Sequence, residues 1–522
     1  MKVPNGLRRL VLVLAALALC TAAGLSAAAP PPATVHLHVD ARAAGTPFPH
    51  FWEQMFGSGR ATLSLRDDYR KDLATVHQAT HFEYVRFHGI FDRDVGLVQR
   101  DGNGRVSYNF SYVDQIYDGL LAHGVKPFVE LGFMPPDLSS DPSRHHSFWY
   151  HPNVMPPKDY AEWDAMIRAF ARHLIDRYGI DEVASWYFEV WNEPNIDFWG
   201  GEPKQATYFK LYDHTARALK SVSPRLRVGG PATAQAAWIP AFLEHVHAAH
   251  VPVDFVSSHV YGDDTAGNVF HRQEHIPRKD MVCRAVAKVH DEILVSPYPQ
   301  LPLVFSEYNA SYANLPNVTD TVFMGPWIAN TIRACAGKVA MMSYWTFSDV
   351  FEEQGVVRTP FYGGFGLIAE DRIPKPSFNA FAMLHRLGDT RLPLDSDSAL
   401  ATRRADGTLV VALWNYAPPV AAGPDYVPGP PQGAVKRFEL DVSHLASAAT
   451  ATVWRLDATH GNVIATFDRM GRPAFPGRAQ IAELRAAGRG SPPQKLAVRD
   501  GRLTLDVPPQ GLVVLEVRAT PK

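Results

Sequence analysis

Short apolar segments recur through the middle of the chain, and each ends in polar residues or glycine. Between several of them, apolar residues recur at three- and four-residue steps, which is the pattern of a helix with one buried face. The clearest predicted helices are 159–178, 203–222 and 281–294. The predicted strands are 48–56, 83–88, 126–133, 186–191, 226–230, 253–260, 303–306 and 339–347.

This alternation of strand and helix is typical of parallel βα units, and eight such units favour an α/β fold, the closed (β/α)8 TIM barrel. Periodicity alone does not exclude an open, doubly wound sheet. The barrel is assigned to residues 47–388. In a barrel of this kind, the residues that follow the strands form the active site.

After residue 389 the pattern changes to short strands joined by turns, with a Pro- and Gly-rich loop at 418–433. Such a pattern is typical of a β-sandwich, so 389–522 is predicted to be a C-terminal all-β sandwich domain. An early apolar strand within 34–46 precedes the barrel, and we expect it to pair into that sandwich.

The first 29 residues have the order of a secretory signal peptide, which predicts a secreted or periplasmic mature protein. Lys2, Arg8 and Arg9 precede an apolar run at 10–19, and small residues continue to residue 29. The run is short for a membrane span, so no membrane span is predicted.

Composition narrows the range of partners. The 522 residues carry a net charge of −2, so we expect no nucleic acid to bind. Once Cys20 leaves with the signal peptide, Cys283 and Cys335 allow either one bridge or two buried thiols, and we prefer two thiols. No motif indicates a metal or a cofactor, and the sequence does not indicate an oligomeric state.

Two glutamates stand where the barrel would place its chemistry. Glu193 follows the buried segment WYFEVW within Asn192-Glu193-Pro194, at the end of the fourth predicted strand. Glu307 ends the apolar segment LVFSE, the seventh strand. Carboxyl groups that face each other across the mouth of a barrel are what glycosidic bond cleavage requires, one protonated and one ionised. Two structural salt-bridge partners are the alternative interpretation.

Other polar and aromatic residues converge on the same rim. Arg86 and His88 share one face of the second strand, and a guanidinium near Glu307 would favour its ionised form. His259 and Tyr261 end the sixth strand. Trp345 ends the eighth and is a candidate platform for a sugar ring. Glu352 and Glu353 follow in a loop, either as sugar ligands or as surface charge.

With these residues in view, the chain resembles glycoside hydrolase family 39, and within it the β-xylosidases. The resemblance covers nearly all of the mature chain. It is carried by YVRFHGIFDRDVG (84–96), FEVWNEPN (188–195), SEYNASY (306–312), SYWTFSDVFEE (343–353) and, near the C-terminus, MGRPAFP (470–476).

The resemblance implies retaining double displacement on a xylooligosaccharide, with Glu193 as acid/base and Glu307 as nucleophile. Phe198 and Tyr312 are expected to wall the pocket. One departure is Phe87, which stands where some xylosidases carry Gly and is expected to narrow the pocket or shift a ring. The positions that match the family's sugar-binding residues are His88, Phe133, Asn192, His259, Tyr261, Trp345 and Glu352.

Three alternatives remain open on the sequence. α-L-Iduronidases share the resemblance, but they need cationic groups beside a sugar carboxylate, and the site segments show no Lys/Arg cluster. β-Glucosidase or arabinosidase activity depends on pocket shape, because one CH2OH group gives modest selectivity. A non-catalytic sugar-binding protein would be expected to lack one carboxylate, whereas both Glu193 and Glu307 are present.

Overall fold

The computed structural model describes residues 33–445 and 448–519, so the predicted signal peptide at 1–29 lies outside the described residues. Its centre is a closed barrel of eight parallel strands. In chain order the barrel strands are β1 Met55–Gly57, β2 Tyr84–Phe87, β3 Lys126–Glu130, β4 Tyr187–Glu189, β5 Arg227–Thr233, β6 Phe255–Tyr261, β7 Leu303–Asn309 and β8 Met341–Tyr344.

One main helix follows each strand, which completes the (β/α)8 pattern. The predicted helix 159–178 appears as Tyr160–Tyr178, with the Asp159 side chain accepting a hydrogen bond from the Ala161 N–H at its start. The helices are α1 Asp67–Thr80, α2 Ser111–Leu121, α3 Tyr160–Tyr178, α4 Lys204–Val222, α5 Ile239–Ala248, α6 Arg278–Leu294, α7 Met324–Cys335 and α8 Pro376–Leu384. None of the described helices is long and apolar enough to cross a membrane.

A second sheet has ten strands. The early strand Ala33–Asp40 pairs in parallel with Lys436–Ser443. The sheet strands are Ala33–Asp40, Thr46–Pro47, Thr390–Arg391, Ala399–Arg403, Leu409–Asn415, Lys436–Ser443, Ala448–Leu456, Gln494–Arg499, Arg502–Val507 and Gly511–Ala519.

This sheet must fold over onto itself. Ala33–Asp40 forms one edge and Thr46–Pro47 the other. Ten strands laid flat would hold the two edges roughly 43 Å apart at about 4.8 Å per strand. The link from Asp40 to Thr46 reaches at most about 22 Å. The folded sheet buries Val39, Phe438 and Leu515 between its two halves.

Two helices interrupt the strand pattern of the C-terminal domain. Val463–Arg469 and Arg478–Gly488 lie between two strands of the sheet. Phe467 packs against Phe361 from the long loop after β8, with ring centroids 4.9 Å apart. The C-terminal domain therefore supports a loop of the barrel as well as its own core.

Cys283 on α6 and Cys335 at the end of α7 form a disulfide, with their Cα atoms 5.0 Å apart. The preference for two separate thiols is therefore wrong. The two cysteines are 52 residues apart in sequence. They meet because consecutive barrel helices pack side by side, which the spacing of cysteines does not reveal.

Candidate active site

A cavity of about 460 Å³ opens at the C-terminal end of the barrel strands, a size usual for small-molecule sites. The loop after β8 and the segment around Phe148 complete its wall. The sequence-predicted residues that line it are His88, Asn192, Glu193, Phe198, Tyr261, Glu307, Tyr312 and Trp345.

Glu193 and Glu307 face each other in this cavity. A carboxylate oxygen of each and a ring nitrogen of His259 all lie within 4.8 Å of one another. The backbone of Glu193 has φ +43°, in the left-handed region that a residue with a side chain rarely adopts. Such strain persists where the surrounding structure holds a residue in place, and it is common at functional sites.

Arg86 lies beneath the two glutamates and is completely buried. Its Nη1 donates to Glu307 Oε1 at 2.7 Å, its Nε to Glu189 Oε2 at 2.6 Å, and its Nη2 to Asn192 Oδ1 at 2.9 Å. Nη2 also lies 2.9 Å from Glu130 Oε2. Burial alone would lower the pKa of Arg86, but the carboxylates of Glu189, Glu130 and Glu307 raise it. One permanent cation therefore holds several carboxylates in fixed positions.

The surroundings of the two glutamates separate their proton affinities. Burial raises the pKa of Glu193 well above its usual range, and the nearby charge of Glu307 raises it further. Burial also raises the pKa of Glu307, but Arg86, His88 and the Tyr261 hydroxyl oppose that rise. Tyr261 donates to Glu307 Oε2 at 2.6 Å. The site thus favours a protonated Glu193 beside an ionised Glu307.

His259 joins Glu193 to this network. Its Nδ1 lies 3.0 Å from Glu193 Oε1, and its Nε2 lies 3.1 Å from Ser306 Oγ. The single hydroxyl proton of Ser306 goes to Glu189 Oε1 at 2.6 Å, so Ser306 Oγ must accept from Nε2–H of His259. Burial lowers the pKa of His259 well below its usual value, so the ring is neutral and Nδ1 presents a lone pair to Glu193. A protonated Glu193 donates to that lone pair and completes this chain of hydrogen bonds.

Aromatic rings form the apolar part of the wall. Trp345 lies 4.8 Å from His88, centroid to centroid, and fits there because residue 57 is Gly. A Cβ on Gly57 would come within 2.2 Å of the indole ring. Phe133 is buried and stacks behind Phe198, with centroids 5.9 Å apart. A strand-end glycine thus sets the position of the predicted sugar platform.

Some predicted positions fall elsewhere. Glu352 does not line the cavity, because Arg66 at 2.7 Å and Arg60 at 3.4 Å hold its carboxylate. Its neighbour Glu353 lines the wall instead, and burial raises the pKa of that carboxyl well above its usual range. The structure therefore places Glu353 in the cavity wall where the sequence favoured Glu352, since a loop gives no alternation from which to choose between adjacent residues.

Phe133 and His259 lie behind the wall, and they act on it through Phe198 and Glu193. Phe87 points away from the cavity toward Tyr117 on α2, so the expected narrowing by Phe87 does not occur. Alternation along β2 explains this, because Arg86 and His88 share the inner face.

The sequence interpretation missed Glu130, Glu189 and Ser306. All three are buried, and the first two end β3 and β4. An acidic residue at the end of an apolar strand was the available signal, the same one that identified Glu307. Their role depends on the barrel register, in which Glu130 lies directly beside Glu189.

By atom type, Glu193, His259 and Glu307 are also capable of holding a metal ion. Their hydrogen bonds argue against that use. Arg86 and Tyr261 already occupy both oxygens of Glu307, and Ser306 holds the second ring nitrogen of His259. The Arg86 guanidinium already supplies the positive charge that a metal ion would bring to Glu307. The three residues therefore suit acid–base chemistry.

The sequence profile of the family described as Glycosyl hydrolases family 39 matches residues 35–503. The chain belongs to this family and is a glycoside hydrolase. It is 40% identical over 467 residues to a β-xylosidase of Geobacillus stearothermophilus, covering 87% of this chain and 90% of that protein.

A crystal structure of a monomeric β-xylosidase from Caulobacter crescentus CB15 superposes with a TM-score of 0.84. It is 34% identical, over 93% of this chain and all of the other. Human α-L-iduronidase is a more distant relative. It is 28% identical over 281 residues, which are 48% of this chain and 40% of that protein.

Proposed function

We propose that the protein is a retaining exo-β-1,4-xylosidase that releases xylose from the non-reducing ends of xylooligosaccharides. The observation that carries the chemistry is the close approach of the two carboxyl groups, since one oxygen of Glu193 lies within 4.8 Å of one oxygen of Glu307. Retaining enzymes hold these groups about 5–5.5 Å apart, whereas inverting enzymes need about 6.5–9.5 Å to admit water. The β-xylosidases among its relatives, similar along most of both chains, support the sugar.

In the first step, a carboxylate oxygen of Glu307 attacks the anomeric carbon while Glu193 gives its proton to the departing glycosidic oxygen. In the second step, ionised Glu193 takes a proton from water. The resulting hydroxide attacks the anomeric carbon and releases Glu307 from its ester bond. Both displacements invert the carbon, so the product keeps the β configuration.

The hydrogen bonds around the pair suit these roles. The lone pair of His259 Nδ1 favours the protonated form of Glu193, as a general acid requires at rest. Arg86 has no acceptor atom, so the Asn192 oxygen faces it and the Asn192 amide NH2 remains for the sugar. That NH2 is suited to the sugar 2-hydroxyl, a contact that strengthens in the transition state.

The cavity favours a neutral sugar over a uronate. No Lys or Arg occurs among its described lining residues, whereas Asp263, Asp264 and Glu353 add to the acidity of Glu193 and Glu307. Arg86 is already bound to carboxylates and lies below the cavity. A sugar carboxylate would therefore find no cation in the cavity to pair with and would lie near ionised Glu307, which argues against α-L-iduronidase activity. β-Glucosidase and arabinosidase activities are expected to be weaker side reactions.

We further propose that the mature enzyme is secreted or periplasmic after removal of residues 1–29. The charged, apolar and small-residue order of that segment supports export. The Cys283–Cys335 disulfide also supports it, because disulfides persist in oxidising compartments. Mass spectrometry of the enzyme from culture medium and periplasm should find a chain that begins near residue 30. A full-length chain confined to the cytoplasm would contradict export.

The substrate proposal is tested with aryl β-xyloside, β-glucoside, α-arabinoside and α-iduronide assayed side by side. The xyloside should give the highest kcat/KM and the iduronide the lowest. An NMR time course should show β-xylose before mutarotation forms the α anomer. Faster turnover of the iduronide would overturn the sugar assignment, and initial α-xylose would overturn retention.

A further inference from the structure

A second cluster of ligating side chains lies at the end of the barrel opposite the cavity. His50 and Glu53 precede β1, and His385 follows the last residue of α8. Residues that precede the strands and follow the helices lie at the N-terminal face of a (β/α)8 barrel, far from its chemistry. This cluster therefore plays no part in sugar binding.

Both histidines point at one carboxylate oxygen. Nδ1 of His50 lies 2.5 Å from Glu53 Oε1, and Nδ1 of His385 lies 2.8 Å from the same atom. The other oxygen, Glu53 Oε2, is buried and has no hydrogen-bond partner. The Glu53 side chain is only 4% exposed. Hydrogen bonding alone would be better served by one histidine on each oxygen, since a buried unpaired oxygen is costly.

His50 and His385 each offer a ring nitrogen and Glu53 a carboxylate oxygen, and these three atoms converge on one point. Zinc is commonly bound by such a set of ligands. Tetrahedral bonds of about 2.0–2.1 Å place ligand atoms roughly 3.3 Å apart. The two distances from the histidine Nδ1 atoms to Glu53 Oε1 would each have to lengthen by less than about 1 Å to admit the ion. The histidine side chains are 19% and 31% exposed, so water can reach a fourth position.

Trp52 stacks on His50 with ring centroids 4.4 Å apart, and such an outer contact orients the ligand of a metal site. A third histidine, His81, has its ring 5.1 Å from that of His385 but does not belong to the converging set. Because His81 adds no ligand atom to that set, it offers a matched control.

The position of the cluster suggests its purpose. Both covalent connections between the barrel and the second sheet pass here. Thr46–Pro47 lies just before His50, and it pairs with Thr390–Arg391 just after His385. We propose that His50, Glu53 and His385 bind one Zn²⁺ or similar divalent cation, which fastens the barrel to the sheet domain at both connections.

The test uses the full mature chain, stripped with EDTA and freed of the chelator. One equivalent of Zn²⁺ should bind at micromolar concentration or tighter, measured against a chromophoric chelator. The Tm should rise by about 2 °C or more with ligand excess, because an ion that binds only the folded state stabilises it. Turnover of aryl xyloside by the same samples should be unaffected, which separates this site from the catalytic pair.

The decisive variants are His385→Gln and His81→Gln. The first should lose the tight equivalent and the Tm response, and its partial exposure makes misfolding a small risk. The second should keep both. Lack of zinc retention by the unmodified chain would overturn the proposal. Equal responses in the two variants would overturn it as well.

Discussion

Two buried cations organise this barrel, and they differ in how their charge is balanced. Arg86 at the cavity contacts the carboxylates of Glu130, Glu189 and Glu307. Lys375, just before α8, contacts Asp320 at 2.8 Å and Asp349 at 3.0 Å. Both cations are completely buried. Carboxylates are therefore in greater excess around the arginine than around the lysine.

The lysine cluster is closed. The three ammonium protons of Lys375 are matched by Asp320, Asp349 and the Gly364 carbonyl. Asp320 and Asp349 also accept from the backbone N–H groups of Gly363 and Gly366. These bonds fix the loop that carries Phe365 into the cavity wall. The cluster serves structure, and every donor of its cation has a partner.

The arginine cluster is open. Glu307 reaches the cavity, and Glu193 stands beside it without a cation of its own. Burial also raises the pKa of Glu130 to about 7. An excess of buried carboxyl groups with one fixed cation leaves a proton to be shared, which is what acid–base chemistry uses. The difference teaches that carboxyl groups left facing a cavity mark function, whereas a cluster whose hydrogen bonds are all closed internally marks support.

The largest expected effect comes from Glu307→Ala. We expect turnover to fall by about 10⁴-fold or more, because nothing else can attack the anomeric carbon. Stability should change little, since Arg86 keeps Glu130 and Glu189. With azide and an activated aryl β-xyloside, the Glu307→Ala variant should form the α-xylosyl azide. The Glu193→Ala variant should form the β-xylosyl azide under the same conditions.

The control for that pair is Glu83→Ala, which removes an exposed carboxylate on the barrel. It should leave both turnover and thermal unfolding unchanged. An α-azide from Glu193→Ala, or full xylobiose hydrolysis by either active-site variant, would reverse or remove the assigned roles.

A second prediction concerns the closed cluster, through Lys375→Met. The free energy of unfolding should fall by about 3–5 kcal/mol, because two buried carboxylates lose their cation. The folded fraction should still turn over xyloside, with KM raised more than kcat is lowered, because Phe365 loses its support. Denaturant titration measures the first effect, and Lys495→Met on the sheet surface is the control.

If Lys375→Met kept full stability, the closed cluster would not be the structural element described above. If it lost turnover as completely as Glu307→Ala, the distinction between the two clusters would fail. Either result would be visible in one pair of measurements, unfolding and steady-state kinetics on the same preparation.

The sequence predicted the barrel because its strands and helices alternate with clear periods, and it predicted Glu193 and Glu307 because strand ends face the cavity. It did not predict the Glu189–Ser306–His259 chain, since this depends on the register of three strands. Glu352 was chosen over Glu353 because both lie in a loop without periodicity. His385 was missed because it meets Glu53 from 332 residues away. Contacts between residues distant in sequence become visible only in the folded structure, because a local sequence pattern carries no information about them.

The smallest predicted effect tests how the open cluster places its proton, through Ser306→Ala. Ser306 obliges His259 to carry its proton on Nε2, so ionised Glu193 would face a lone pair on Nδ1. Without the hydroxyl, His259 can move its proton to Nδ1 and donate to ionised Glu193. The pKa of Glu193 should then fall, and the basic limb of kcat/KM should move to lower pH.

The expected displacement is about one pH unit, which corresponds to about 1.4 kcal/mol of preference between the two protonation states. Ser257→Ala is the matched control, because Ser257 is buried on the neighbouring strand β6 and its hydroxyl has no partner. A basic limb that stays in place in Ser306→Ala would show that the tautomer of His259 does not govern Glu193. An equal shift in Ser257→Ala would trace the effect to loosened packing instead of the hydrogen-bond chain.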